Sequence, residues 1–161
     1  MLGRRNVLAG AILFVGLFVG GTGFGAAGFA SPEDLVKSIY GLYGAEPGKS
    51  GTECSHKGDG FPEKAREVGR YLEPALARAY LHKRNLDADP FIMGQDWCIR
   101  DLAISVGRND GKRASATATF TNLDAASKVA YDLVNTPQGW LVYDLSSADY
   151  PSLRKFLGVR K

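Results

Sequence analysis

Apolar and polar residues alternate with a period of two between residues 98 and 145, and this alternation constrains the fold more than any other feature of the chain. The period is typical of β-strands with one buried face, because successive side chains of a strand point to opposite sides. Turn signals at 109–111, 122–124 and 136–139 divide the stretch into four runs. Strands that are joined by such short turns pair antiparallel. We therefore predict a four-stranded antiparallel meander.

The second run shows the alternation most clearly, because four apolar residues share one face and Ser and Thr residues occupy the other. The apolar residues assigned to the buried face of the four runs are Leu102, Ile104, Val106, Ala114, Ala116, Ala118, Phe120, Val129, Tyr131, Leu133, Trp140 and Val142. A sheet with one apolar face needs a covering layer. Helices elsewhere in the chain can supply that layer.

Two helical regions precede the meander. Ser31, followed by a proline and two acids, is a typical helix start, and we expect this first helix to end at Gly44. The second region covers about residues 63–86, where Pro74 should separate two helices or kink one. A short helix is expected after Pro151. The predicted fold class is α+β, with N-terminal helices packed on a curved antiparallel four-stranded meander and a short C-terminal helix.

Residues 1–30 have the pattern of an export signal. Arg4 and Arg5 precede an apolar run at 7–19 that is too short to span a bilayer, and small residues follow it. We expect cleavage at the end of this segment, which leaves residues 31–161 as a single domain in the periplasm or secreted from a bacterial cell. Both the twin-arginine and the general secretory route remain open, and an uncleaved signal that anchors the protein is the alternative.

The charge of the mature chain argues against nucleic acid as a partner. The net charge of +3 falls to about +1 when the two signal arginines are removed, and the remaining basic residues are dispersed. The expected partner is an unidentified envelope protein or a small ligand. Contact with a membrane is expected only through an uncleaved signal.

Cys54 and Cys98 both remain after the predicted cleavage. In an oxidising compartment two such cysteines are expected to form a disulfide, which would connect the loop after the first helix to the sheet. A free catalytic thiol is the alternative reading of this pair.

Several short motifs match functional patterns by accident. A dinucleotide-type glycine pattern at 23–28 lies in the predicted signal, and a phosphate-loop pattern at 44–50 is one residue short. A cluster of acids lacks the glutamate that a calcium loop needs at its twelfth position, and its members are interpreted as turn and capping residues. These acids are Asp87, Asp89, Asp96 and Asp101. The two histidines, His56 and His82, form no metal-binding or catalytic-triad pattern. We predict no catalytic residue, no metal site and no cofactor.

Three segments resemble the DUF3828 family of bacterial envelope proteins. They are residues 87–97 (Asp-Ala-Asp-Pro-Phe-Ile-Met-Gly-Gln-Asp-Trp), 139–144 (Gly-Trp-Leu-Val-Tyr-Asp) and 152–154 (Ser-Leu-Arg). That family is similar to the NTF2-like (cystatin-like) superfamily, so the resemblance implies helices packed across a strongly curved sheet that forms a cone. Members of the family are largely of unknown function. Many resemble lipoproteins, whereas this chain lacks a lipid-attachment cysteine after its signal.

The open end of such a cone is where a ligand is expected to bind. The candidates for its lining are Tyr40, Tyr80, Asp96, Trp97, Tyr131, Trp140 and Asp144. For Tyr131 and Trp140 a role in the hydrophobic core is the alternative, and for Asp96 it is a role in a cap or turn.

Two functions are compatible with these residues. The first is a non-catalytic binding or protein-interaction module of the bacterial envelope, favoured because no nucleophile and base occur together. The alternative is a small NTF2-like isomerase or hydrolase, in which an Asp and a Tyr in the apolar cone transfer protons. Such an enzyme needs a carboxyl group inside the cavity with a raised pKa. We predict that neither Asp96 nor Asp144 meets this requirement, and that each accepts hydrogen bonds from backbone amides.

Overall fold

The computed structural model describes residues 28–49, 58–82 and 86–160. In these ranges the chain forms an α+β fold, which confirms the predicted class. The elements in chain order are α1 Pro32–Gly41, α2 Ala65–Val68, α3 Pro74–His82, β1 Ile99–Asn109, β2 Arg113–Asn122, β3 Ala125–Thr136, β4 Gly139–Ser146 and α4 Leu153–Phe156.

The four strands form one open antiparallel sheet in the order β1-β2-β3-β4, so the predicted meander is confirmed. The tightest turn joins β2 to β3 through Leu123 and Asp124, both with positive φ (46° and 67°), as the favoured two-residue hairpin turns require. Gly111, with a φ of 82°, lies in the turn between β1 and β2. Each expected turn therefore lies where its residues predicted it.

One face of the sheet is buried. Ala116 of β2 pairs with Tyr131 of β3, which pairs in turn with Leu145 of β4, and all three side chains lie in the core. The prediction that Val106 lies on the buried face is wrong, because this residue, near the end of β1, is 38% exposed. A register shift follows Val106, and such irregularities bend a strand locally. The end of β1 is therefore a strand with both faces exposed, although its sequence alternates between apolar and polar residues.

Helix α1 begins as predicted. The Ser31 side chain accepts a hydrogen bond from the amide of Asp34 at 3.0 Å, and the proline occupies the first turn. The helix ends at Gly41, three residues before the expected end, because the chain continues as a turn through Gly44, whose φ is 73°. The buried side of α1 packs on the sheet through Val36, Ile39 and the residues beside them.

The second helical region forms two helices, α2 and α3, and α3 begins at Pro74. This is one of the two arrangements that the proline predicted. The five residues 69–73 between the two helices are not helical. They run along the free edge of β4: the amide of Val142 donates to the Tyr71 carbonyl at 2.8 Å, and the amide of Glu73 donates to the Val142 carbonyl at 2.9 Å. The edge of the sheet is thus closed by a short parallel bridge.

An ion pair connects α4 to the start of α3. The Arg154 guanidinium lies 2.7 Å from the Glu73 carboxylate and stacks 4.0 Å over the Tyr143 ring. Burial raises the pKa of Glu73, but the hydrogen bonds from Arg154 and from the amides of Ala75 and Leu76 outweigh burial and lower it. Glu73 therefore stays ionised and also caps α3.

Residues 1–27 of the predicted signal lie outside the described residues, and so does Cys54. Within the described ranges, no helix combines the length and the apolar character that a membrane crossing requires.

The predicted disulfide can be tested by thiol labelling. Cys98 is buried just before β1, and its amide donates to the Asn122 side chain at 2.8 Å. We expect the exported protein, unfolded without reductant, to show no reactive thiol, and to show two after reduction. As a control, Cys54→Ser should expose one thiol on unfolding. Two reactive thiols in the unreduced wild-type protein would contradict the bridge.

Candidate functional site

A cavity of about 700 Å³ lies on the helical side of the molecule. It is formed by α3, the chain just before and at the start of α2, and residues 86–89. Among the described residues, its lining consists of Glu63, Ala65, Tyr80, Leu81, Leu86, Ala88 and Asp89. The volume lies in the range of small-ligand sites. The wall combines apolar side chains, among them Leu81 and Leu86, with the polar groups of Glu63, Tyr80 and Asp89.

Asp89 is the carboxyl group that the fold holds most firmly in this wall. Its Oδ2 accepts a hydrogen bond from the Tyr43 hydroxyl at 2.5 Å, and its Oδ1 accepts one from the Phe91 amide at 2.9 Å. The backbone of the same residue bonds to Gly94 and Met93, which closes a tight loop over residues 89–94. Asp89 therefore joins the loop to the end of α1.

The pKa of Asp89 is raised from its usual value of 3.8 to about 6. Burial is the cause, and the hydrogen bonds from Tyr43 and Phe91 oppose it only in part. An aspartate with this pKa gains and loses its proton close to neutral pH. It can act as a hydrogen-bond donor to a ligand below that pH and as an anion above it.

Behind the loop, two tyrosines form a buried hydrogen-bonded chain. The Tyr131 hydroxyl donates to the Tyr40 hydroxyl at 3.1 Å, and the Tyr40 hydroxyl donates to the Phe91 carbonyl at 3.1 Å. Burial raises the pKa of both hydroxyls, so they remain neutral. The chain fixes the loop to β3 and α1, which holds Asp89 in position.

Aromatic rings support the wall next to Asp89. Phe61 stacks on Phe91 with ring centroids 4.1 Å apart, and Tyr80 meets Phe61 edge-on at 5.5 Å. Burial raises the pKa of the Tyr80 hydroxyl, and the nearby carboxylates of Asp89 and Glu63 raise it further. Tyr80 thus offers the cavity a neutral hydroxyl beside two acids.

The structure does not bring the seven residues expected to line one site into a single cavity. Tyr80 lines the 700 Å³ cavity, whereas Tyr40 and Tyr131 are buried behind it. Trp140 is 4% exposed in the core, and Asp96 is exposed, with its main-chain carbonyl accepting from Asn122.

The half-buried Trp97 packs edge-on against Tyr43 at 5.4 Å. Its indole N–H is buried and has no hydrogen-bond partner among the described residues. The Trp97 ring therefore supports Tyr43, which donates a hydrogen bond to Asp89. Gly60 also lies against this ring, because a Cβ atom built on Gly60 would lie 3.4 Å from the indole.

Asp144 has the role that the sequence predicted for it. Its Oδ1 accepts hydrogen bonds from the amides of Leu145 and Arg154 at 2.8 and 2.9 Å, and its Oδ2 accepts one from the Ser152 hydroxyl at 2.6 Å. Together with Tyr131 it also borders a smaller cavity of about 160 Å³ at the sheet, so two of the seven candidates share that cavity. Asp144 therefore anchors the start of α4.

Sequence reasoning missed Asp89 and Tyr43 as functional candidates. Asp89 precedes a proline and was interpreted as a turn acid, a role that it does have through the Phe91 amide. Tyr43 lies at the end of the region expected to form the first helix, and no motif distinguishes it there. The only local signal was an acid directly before Pro-Phe, and nothing in it indicates a tyrosine 46 positions away.

Among the described residues, no three His, Cys, Asp or Glu side chains are grouped so that they could hold a metal ion. Fold and site together define an α+β domain with an open antiparallel meander and a lateral cavity containing a titratable carboxyl group. No protein family, curated protein or solved structure matches the chain.

Proposed function

We propose that this chain is an exported, non-catalytic binding module of the bacterial envelope that holds a small ligand in the 700 Å³ cavity. The observation that carries the proposal is the combination of that volume with a carboxyl group fixed in the wall. The polar groups of the wall would orient a ligand, and its apolar side chains would add hydrophobic contact.

The lining indicates the chemistry of the ligand. Leu81 and Leu86 offer an apolar surface, whereas Glu63 and Asp89 are acceptors when ionised and Tyr80 carries a hydroxyl. This set favours a ligand with an apolar body and a hydrogen-bond donor, such as an amine. A protein partner that inserts one side chain of this kind would use the same site.

We also propose an NTF2-like cone and membership of the DUF3828 family. Register shifts in β1 after Arg100 and Val106, and between β3 and β4 after Asp132, are the irregularities that bend a sheet. Helix α1 packs against β1, β2 and β4, as a helix across a curved sheet does. The periplasmic or secreted location rests on the export pattern of the N-terminus.

The binding proposal can be tested with a neutral fluorescent amine, N-phenylnaphthylamine. We expect saturable fluorescence enhancement with the wild-type protein. Ala88→Phe, which fills the cavity, should raise the Kd by about tenfold or more. The matched control Ala103→Phe, on exposed β1, should bind like the wild type. Equal binding by both variants, or no saturable binding, would refute the cavity as the site.

A second candidate function, a small isomerase or hydrolase, is favoured by one observation. Asp89 has a pKa of about 6 and lies within hydrogen-bond distance of Tyr43, the pairing of an acid and a tyrosine that proton-transfer sites use. The binding module remains the preferred function because both carboxylate oxygens of Asp89 already accept hydrogen bonds that hold the loop.

The two candidates differ in what Asp89→Asn should do. Wild-type protein, incubated with small ketones in deuterated water, would show exchange of α-protons by NMR if Asp89 were a general base. Asp89→Asn would then abolish this exchange. A binding module shows no exchange above the buffer in either form.

A further inference from the structure

Residues 28–30, which the sequence assigns to the end of the export signal, take part in the folded domain. Phe29 forms an antiparallel bridge with Trp140, and the Trp140 amide donates to the Phe29 carbonyl at 3.0 Å. The Phe29 ring packs on Tyr71 with centroids 5.4 Å apart. The segment thus extends the sheet beyond the edge of β4.

The fit of this segment is close. A Cβ atom built on Gly28 would lie 1.6 Å from the carbonyl oxygen of Gln138, and one on Gly139 would lie 2.8 Å from the Gly28 carbonyl carbon. Gly139 also has a φ of 112°, which favours glycine. Glycine is therefore required at both positions where the two backbones meet.

Removal of the segment would uncover part of the edge of β4. Two pieces of chain cover the free edge of β4: residues 71–73 bond to Val142, and Phe29 bonds to Trp140. Without the segment, the Trp140 amide would lose its protein partner at an uncovered part of the β4 edge. Native proteins usually cover or pair the free backbone groups of a strand edge.

We propose that the export protease cleaves between Ala27 and Gly28, three residues before the position expected from the sequence. Water hydrolyses the Ala27–Gly28 peptide bond, which leaves a carboxylate on Ala27 and a new amino terminus on Gly28. Gly25 and Ala27 supply the small residues that such a protease requires before the cut. The proposal rests on export of the chain and does not depend on the proposed ligand site.

Intact mass of the protein recovered from the periplasm tests the cleavage position. The expected product begins at Gly28 and is heavier, by the residues Gly-Phe-Ala, than one that begins at Ser31. Ala27→Leu should block or displace the cut, whereas Ala30→Leu, at an exposed position, should not. A product that begins at Ser31, or an uncleaved chain, would overturn the proposal.

Thermal unfolding of the exported protein tests whether residues 28–30 stabilise the folded domain. Phe29→Ala should lower the Tm by roughly 5 °C, because the ring contact with Tyr71 is lost. The control Phe24→Ala changes a residue that is removed, so mass and Tm should both equal those of the wild type. An unchanged Tm for Phe29→Ala would contradict the role of the segment in the fold, even if the mass agreed.

Discussion

Replacing Trp140 by alanine is expected to lower the free energy of unfolding by about 3–5 kcal/mol. The side chain is 4% exposed and belongs to the main hydrophobic core. Alanine would remove most of its apolar surface and leave a cavity that the surrounding backbone can fill only in part, since β4 is held on both edges. Urea denaturation of the wild type and the variant, with the slopes compared, measures the difference.

A control substitution at an exposed strand position separates the effect of burial on stability from the effect of β-strand propensity. Val106→Ala, in β1 at 38% exposure, should cost less than about 1 kcal/mol. A loss of this small size for Trp140→Ala would show that the indole lies on the surface, where a contact site beside Asp144 becomes the better interpretation.

The sheet could be predicted from the sequence because its determinants are local. Alternation in β2 assigns Ala114 to Phe120 to faces without knowledge of any partner, and the turn residues after it limit the register. The non-helical stretch at 69–73 could not be predicted in this way. This stretch is not helical because its backbone forms hydrogen bonds with Val142, about 70 positions later in the chain. Local helix propensity contains no information about such a distant contact.

The candidate site was less predictable for the same reason. The hydrogen bond between Tyr131 and Tyr40 joins residues 91 positions apart, and the one between Tyr43 and Asp89 joins residues 46 apart. The sequence predicted tyrosines with Asp96 or Asp144 at the open end of a cone, whereas the carboxyl group that is hydrogen-bonded to a tyrosine in the structure is Asp89. Which aspartate is buried depends on how the 89–94 loop packs against α1, and only tertiary structure determines that packing.

The second large effect is expected at Asp89, where Asp89→Asn should remove a pH dependence of stability between about pH 4 and pH 6. The folded-state pKa is raised from 3.8 to about 6, so the folded protein binds the proton more tightly than the unfolded chain does. This contribution is complete below about pH 4 and is lost as the pH rises through about 6. A rise of about two units corresponds to about 2–3 kcal/mol. Relative to the wild type, the variant should therefore gain stability over this range.

The measurement is the difference in unfolding free energy between variant and wild type at several pH values, because subtraction removes the titration of all other groups. Asp110→Asn is the control with the opposite sign: backbone hydrogen bonds from Arg113 and Lys112 lower the pKa of Asp110, so its contribution is lost as the pH falls below the usual aspartate value. A difference for Asp89→Asn that does not change with pH would mean that its carboxyl titrates as an ordinary surface acid. The cavity would then lack a group able to transfer protons near neutral pH, and the isomerase or hydrolase would lose its only support.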